Sequence, residues 1–362
     1  MKVKLQRLFN RVWQVCVALL SKRYKRISQL VAILGILAVI TAMVRATAPQ
    51  PDGGGVRTGT LPRTWLLGGP DCRAIPEFEA HRYNEDLYIL RQSGCSHYEK
   101  PFLYLFFGTE KALLLDTGAG EPDTAQAVQA VVNGWLTRSG RRSIPLEVIH
   151  SHAHSDHIAG DGSFQNLVGT TLVRPNLPSV QSFFGIARWP EQIVQHDLGK
   201  RILDIIPIPG HEATSIALYD RQTGILFTGD TLYPGRLYVE DGQEFARSIR
   251  RLVDFTQGKV VAHILGCHIE NTRTPYLDYP VGTVYQPDEH ALELGRAHLI
   301  ELDQTLQKMD GNIVRTALRD FTIWPVTGPL ATSEHPRHHT QLPITRILDS
   351  KRVSESLPRK VS

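Results

Sequence analysis

Residues 152–157 read His-Ala-His-Ser-Asp-His, which sets four potential metal ligands, His152, His154, Asp156 and His157, within six positions. Imidazole nitrogen and carboxylate oxygen form the ligand set of zinc and related first-row ions. Leu146, Val148 and Ile149 just before the cluster predict a short strand, and Gly160 and Gly162 follow it. A strand ending in a loop can aim several ligands at one point, whereas one helix could not converge all four. A solvated His-rich loop is the plain alternative, and the rest of the chain argues against it. Ile206-Pro207-Ile208-Pro209-Gly210-His211, Ile225-Leu226-Phe227-Thr228-Gly229-Asp230 and the run from Val260 to His268 are apolar segments that each end on a possible ligand. Upstream, Leu113-Leu114-Leu115-Asp116-Thr117-Gly118 has the same form. In each, a polar residue beside Gly stands where a side chain can leave a sheet edge.

With these residues in this order, the chain resembles the metallo-β-lactamase superfamily of hydrolases over about residues 84–310. The resemblance implies an α/β fold, an αββα sandwich with a two-metal site at one edge. It implies one metal on His152, His154 and His211, a second on Asp156, His157 and His268, and Asp230 bridging them. Asp116 would orient the ligand loop through hydrogen bonds. Two zinc ions are the expected cofactor, with iron or manganese left open, because ligand type alone does not set the metal. Two cations about 3.5–4 Å apart can share a water and lower its pKa toward neutrality, so no Ser or Cys nucleophile is needed. No convincing catalytic triad accompanies the cluster.

The residue types narrow the chemistry. Position 154 is His, where the related diiron oxygen-reducing proteins typically carry Glu. Position 230 is Asp, which resembles the thioesterase (glyoxalase II-like) and lactonase branches, whereas the antibiotic-degrading branches usually carry Cys or Ser. The expected reaction is therefore hydrolysis of an ester, thioester or lactone bond in a small molecule. β-Lactamase or phosphodiesterase activity, an iron-dependent sulfur dioxygenase and a non-catalytic binding module are the alternatives. A missing ligand would mark the last, and none is missing. Asp156 and Tyr233 are the candidate catalytic residues beyond pure ligation. Tyr233 and Tyr238 follow Asp230 closely, and a hydroxyl there either supports a developing oxyanion or belongs to ordinary aromatic packing. Cys267 beside His268 either touches the site or is a small buried hydrophobe. His263, in an apolar strand, is expected to pack. His81, His97, His196, His290 and His298 have no ligand spacing.

The elements that must position these residues read as alternating strand and helix, with strands at 87–90, 102–107, 112–115 and 147–150 and helices at 124–136 and 291–309. The outer segments differ in character. Residues 1–26 are basic, and the run 27–44 is apolar without a charge. A membrane-spanning helix at 27–45 is expected, with the N-terminus cytoplasmic and the catalytic domain outside. Secretion after cleavage at Ala46-Thr47-Ala48 is the rival. Residues 46–83 read as a linker and domain edge, and 311–362 as a mobile C-terminal extension in which His335, His338 and His339 are solvated. Cys72 and Cys95 would both lie outside, where an oxidising compartment would let them pair. With 40 basic and 36 acidic residues the charge is nearly balanced, which gives no case for a nucleic-acid partner. The partners expected are a small-molecule substrate and, through the N-terminal anchor, a membrane.

Overall fold

The computed structural model of the protein describes residues 56–66, 68–69 and 71–326. The expected basic segment, membrane helix and cleavage site, and the histidines of the C-terminal tail, lie outside the described residues. Among the described residues no helix is long and apolar enough to cross a membrane. Strands β1 (Phe78–Arg82), β2 (Leu87–Gln92), β3 (Phe102–Phe107), β4 (Ala112–Leu115), β5 (Leu146–Ile149) and β6 (Thr170–Leu172) form one sheet in that order. A second sheet is built from β7 (Val194–Asp197), β8 (Ile202–Pro207), β9 (Ile216–Asp220) and β10 (Ile225–Gly229). After β11 (Arg236–Val239), which leaves for a small third sheet, β12 (His263–Gly266) and β13 (Glu293–Leu294) complete the second in the order β13-β12-β10-β9-β8-β7.

The strands are apolar on both faces because both faces are covered. In β3, Phe102, Tyr104 and Phe106 point into the core between the sheets, where they join Leu203, Ile205, Leu218 and Phe227 of the second sheet. Their neighbours Leu103, Leu105 and Phe107 face outward and meet helix α1 (Thr124–Ser139) through Val128, Val132 and Trp135. Phe107 and Trp135 stack with ring centroids 4.5 Å apart. On the far side, α4 (Gly242–Phe255) and α5 (Arg296–Met309) cover the second sheet with Phe245, Ile249, Leu252, Leu299, Leu302 and Leu306. Two short helices, α2 (Ser155–Ile158) and α3 (Leu177–Phe184), complete the α-helices among the described residues. The result is the expected αββα sandwich.

Strand direction positions the site. β4 and β5 pair in parallel, as do β10 and β12, and β8 runs antiparallel to β9, which is antiparallel to β10. The C-terminal ends of β8, β10 and β12 therefore open on one edge of the second sheet, and those of β4 and β5 on one edge of the first. These are the ends that carry the chemically distinctive residues.

Three sequence expectations change. The predicted helix at 124–136 continues to Ser139 and stops where Gly140 turns left-handed (φ 67°). Its buried stripe runs through Ala125, Val128, Val132 and Trp135, so Ala127, Val131 and Leu136 lie at its margin. The helix predicted at 291–309 begins only at Arg296, because Glu293 and Leu294 pair with Leu265 and Ile264 of β12. The extension expected to be mobile from 311 is ordered through two further strands, β14 (Thr316–Ala317) and β15 (Thr322–Pro325). β15 pairs in parallel with β11, and Phe321 and Ile323 are fully buried. Cys72 and Cys95 form a disulfide with Cα atoms 5.3 Å apart, which ties the domain edge to the segment after β2.

One buried ion pair braces the sandwich. Asp220 accepts from Arg201 Nη2 at 2.6 Å, Arg201 Nε at 3.3 Å and Thr223 Oγ1 at 2.6 Å, and both charged partners are buried. Arg201 also donates to the carbonyls of Asp86 and Phe107, joining the two sheets. Removing one partner strands the other charge away from water. Asp220→Ala should therefore lower the unfolding free energy by about 3–5 kcal/mol, read as a shift in the urea midpoint.

Candidate metal centre

The sequence run 152–157 divides between two local structures. His152 and His154 lie on the loop after β5, and Asp156 and His157 lie in the single turn of α2. His211 follows β8 through Gly210, whose φ is 131° and where a Cβ would stand 2.3 Å from the Phe245 backbone nitrogen. Only Gly fits that approach. Asp230 follows Gly229 (φ 53°), where a Cβ would come within 2.9 Å of Ser151. His268 comes two residues after the end of β12.

These side chains meet in two groups, His152, His154 and His211 in one and Asp156, His157, Asp230 and His268 in the other. In the first group, His152 Nε2 lies 3.0 Å from His154 Nδ1 and 3.2 Å from His211 Nε2, and His211 Nε2 lies 3.1 Å from His154 Nδ1. Three ring nitrogens turned on one point cannot all be satisfied by one another. Tetrahedral ligands of zinc stand about 3.3–3.4 Å apart when each is about 2.0–2.1 Å from the ion, so this spacing fits a cation at their centre. In the second group, His157 Nε2 and His268 Nε2 lie 3.1 and 3.2 Å from Asp156 Oδ2. Asp230 Oδ2 sits between the groups, 3.4 Å from His157 Nε2, 3.3 Å from His268 Nε2 and 3.8 Å from His211 Nε2. Its other oxygen, Oδ1, is buried without a hydrogen-bond partner. An orphaned carboxylate oxygen is costly unless a cation meets it, so the donor set fits metal ions.

The remaining ring nitrogens are braced, which aims the free ones. His157 Nδ1 lies 3.0 Å from Asp116 Oδ2, His211 Nδ1 donates to the Tyr238 carbonyl at 2.8 Å, and His268 Nδ1 donates to the Glu99 carbonyl at 3.0 Å. His154 engages through Nδ1, and its Nε2 lies 3.4 Å from Glu240. Asp116 also accepts from the Ser151 backbone N–H at 2.7 Å and the Ser151 hydroxyl at 2.9 Å. Its backbone is left-handed at φ 70°, a strained setting for a side-chain-bearing residue. Cys267 is buried and its thiol reaches the same carboxylate at 3.2 Å, so it touches the frame that holds the site.

Electrostatics divide the rings. Burial, then the neighbouring His157, His154 and His211, push His152 well below the usual imidazole pKa. Burial brings His211 down to about 4. Burial also pulls at His157, but Asp156, Asp230 and Asp116 outweigh it and raise its pKa well above the usual value. Burial disfavours ionised Asp230, yet His268 and His157 hold its pKa well below the carboxylate range.

Of the two readings of Tyr233, the contacts are those of packing, although the residue also lines the cleft. Its buried hydroxyl donates to the Arg236 carbonyl and lies 3.2 Å from Glu270 Oε2, while its ring packs edge-on against His268, centroids 5.6 Å apart. His263 packs edge-on against Tyr83. Glu212 is a residue that sequence reasoning passes over. Its carboxylate accepts from Thr214 N and Oγ1 at 2.7 and 2.6 Å and from Ala153 N at 3.4 Å, between two of the histidines. Its signal was its place directly after His211.

Fold and site together define a metallo-β-lactamase-fold hydrolase. The profile of the Metallo-beta-lactamase superfamily matches residues 101–285, and the chain belongs to that superfamily. Among curated proteins it is similar to the acyl-coenzyme A thioesterase MBLAC2 of Gallus gallus, 25% identical over 199 residues, which cover 46% of this chain and 71% of that one. It is also similar to the hydroxyacylglutathione hydrolase of Erythrobacter litoralis, 27% identical over 154 residues, covering 39% of this chain and 56% of that one. Among solved structures, a metallo-beta-lactamase from Pontibacter korlensis is 17% identical with a TM-score of 0.44, covering 64% of this chain and 99% of that one.

The bracing contacts make a prediction. Asp116→Ala should weaken zinc binding by about 10–100-fold with the sandwich still folded, measured by titration against a chromogenic chelator and by circular dichroism.

Proposed function

We propose that this protein hydrolyses an ester or thioester bond of a small molecule with two metal ions, zinc by preference. The observation that carries this reading is the pair of ligand groups sharing Asp230. It is supported by Asp at that position and by relatives named for thioester hydrolysis. His152, His154 and His211 would hold one ion and Asp156, His157 and His268 the other, with Asp230 between. Ions held there would supply Lewis acidity and a nucleophile drawn from water near neutral pH.

The chain's own residues do the rest. Asp116, Tyr238 O and Glu99 O fix three rings in the tautomer that leaves Nε2 facing inward. Asp156 and Asp230 remain carboxylates, because the facing histidines outweigh their burial. That would give the centre two anionic ligands, with Asp156 at the cleft wall held as a carboxylate and a weak base. The cleft itself is lined by Tyr98, Glu99, Tyr238 and Glu270 beside the ligands. Its two long-chain cations are committed elsewhere. Lys100 Nζ donates to the carbonyls of Tyr98 at 2.9 Å and Thr283 at 2.8 Å, and Arg236 is paired with Glu270 and Asp278. The wall is therefore poorly suited to an anionic group and suited to a neutral acyl group.

Elemental analysis of the full-length protein, with ester, thioester, lactone and β-lactam substrates offered in parallel, tests the proposal. The expected result is about two zinc ions per chain, turnover of esters or thioesters, and loss of both metal and turnover in Asp230→Ala. One iron per chain with oxygen consumption and no hydrolysis would overturn it.

A further inference from the structure

The loop after β12 carries most of the large hydrophobic residues that are exposed among the described residues. Eight large hydrophobic residues are exposed among the described residues, and five of them, Tyr276, Leu277, Val281, Val284 and Tyr285, fall within ten consecutive positions. Their exposure runs from 38% at Val284 to 68% at Tyr276. Single exposed apolar residues are ordinary, but a run of them in one loop marks a contact surface.

The loop is held in place. Thr272 N donates to the Leu277 carbonyl at 2.8 Å, Tyr279 N to the Glu270 carbonyl at 2.8 Å, and Thr283 N to the Pro280 carbonyl at 3.1 Å. Lys100 and Arg236 reach across from the cleft wall to the carbonyls of Thr283 and Tyr279, at 2.8 and 2.9 Å. Farther along, the buried Arg91–Glu289 pair at 2.8 Å anchors the loop's return. An apolar strip fixed in this way needs little further ordering to bind something.

Its position says what. Pro280, Val281, Gly282 and Thr283 line the same cleft as Asp156, Asp230 and His268, so the loop that carries the exposed residues forms part of the cleft wall, with Val281 both exposed and at that wall. The cleft has room for only about 50 Å³. A substrate larger than its reacting group would therefore extend toward the mouth of the cleft, where this loop stands. A stable protein interface takes about 20–30 residues a side, far more than five side chains supply, whereas a single hydrocarbon chain is matched by a strip of this size.

We propose that the loop bearing Tyr276, Leu277, Val281, Val284 and Tyr285 binds the apolar chain of a medium- or long-chain acyl substrate whose carbonyl enters the cleft. The proposal rests on the ester or thioester reading above and names its substrate class. Each methylene that leaves water for the strip adds to the binding of substrate, so preference should climb with chain length.

The test compares acetyl, hexanoyl and dodecanoyl thioesters with the full-length protein, its Leu277→Ser/Val281→Ser double variant and a Val168→Ser control on a distant exposed site. Dodecanoic acid binding by calorimetry is measured alongside. Wild type should favour dodecanoyl over acetyl by about tenfold or more in kcat/KM. The double variant should lose about tenfold of that ratio and weaken dodecanoic acid binding, with Val168→Ser matching wild type in both. Equal ratios in wild type and double variant would overturn the proposal. So would a double variant that binds dodecanoic acid as wild type does but no longer binds phosphatidylcholine vesicles, which would assign the loop to a bilayer surface. If no thioester of any length is cleaved, the hydrolase reading of the substrate fails, and the dodecanoic acid comparison still decides the role of the loop.

Discussion

A carboxylate without access to water must find its hydrogen bonds inside the protein, and Asp116 finds them on segments that belong to different sheets. Its oxygens meet Ser151 N and Oγ on the loop after β5, His157 Nδ1 on α2 and Cys267 Sγ after β12. The left-handed turn at Asp116 brings the carboxylate to this junction. Loss of any of these contacts would leave a buried charge under-satisfied, so the ends of β4, β5 and β12 are constrained together. The facing sheets thus have a shared reason for the register they adopt at this edge, beyond the apolar core between them.

That constraint also explains why so many ionisable groups tolerate one buried corner. Five imidazoles and three carboxylates lie within a few ångströms of each other or of Asp116. Burial lowers the pKa of His152, whereas the acids facing His157 and His268 raise theirs, so those two rings sit where positive charge, from a proton or from a metal ion, is favoured. Such a cluster is a poor source of stability by itself, because each charge gives up water to enter it. Cations among the inward-turned nitrogens and the orphaned Asp230 oxygen would convert that cost into coordination, and would link folding of the corner to metal availability.

Much of this was legible in the sequence because ligands are side chains and stand at strand ends. His152, His154, Asp156 and His157 are contiguous, and His211, Asp230 and His268 each close an apolar run; the structure draws all seven together. Other parts were hidden for physical reasons. The partners of His211 and His268 are the carbonyls of Tyr238 and Glu99, and a backbone carbonyl has no signature in residue type. Glu212 looks like any solvated acid until the loop folds over it. Tyr233 was legible as a residue near the centre, but the destination of its hydroxyl depends on the turn to Arg236. The two-residue strand β13 and the pairing of β15 with β11 were illegible because each is made by a contact distant along the chain.

The pairing of β11 with β15 has an architectural consequence. β11 delivers Tyr238, whose carbonyl orients His211, and β15 is its hydrogen-bonded neighbour in the small third sheet. The last described strand therefore acts as a clasp on a ligand about a hundred residues upstream in the chain (an extended segment that closes the sheet behind the centre). The superfamily match ends at residue 285, yet the structural unit that keeps His211 aimed runs on through Pro325. Divergence or truncation in this C-terminal segment would be felt first as a change in ligand geometry at the centre, although no residue of the segment comes from the ligand set itself.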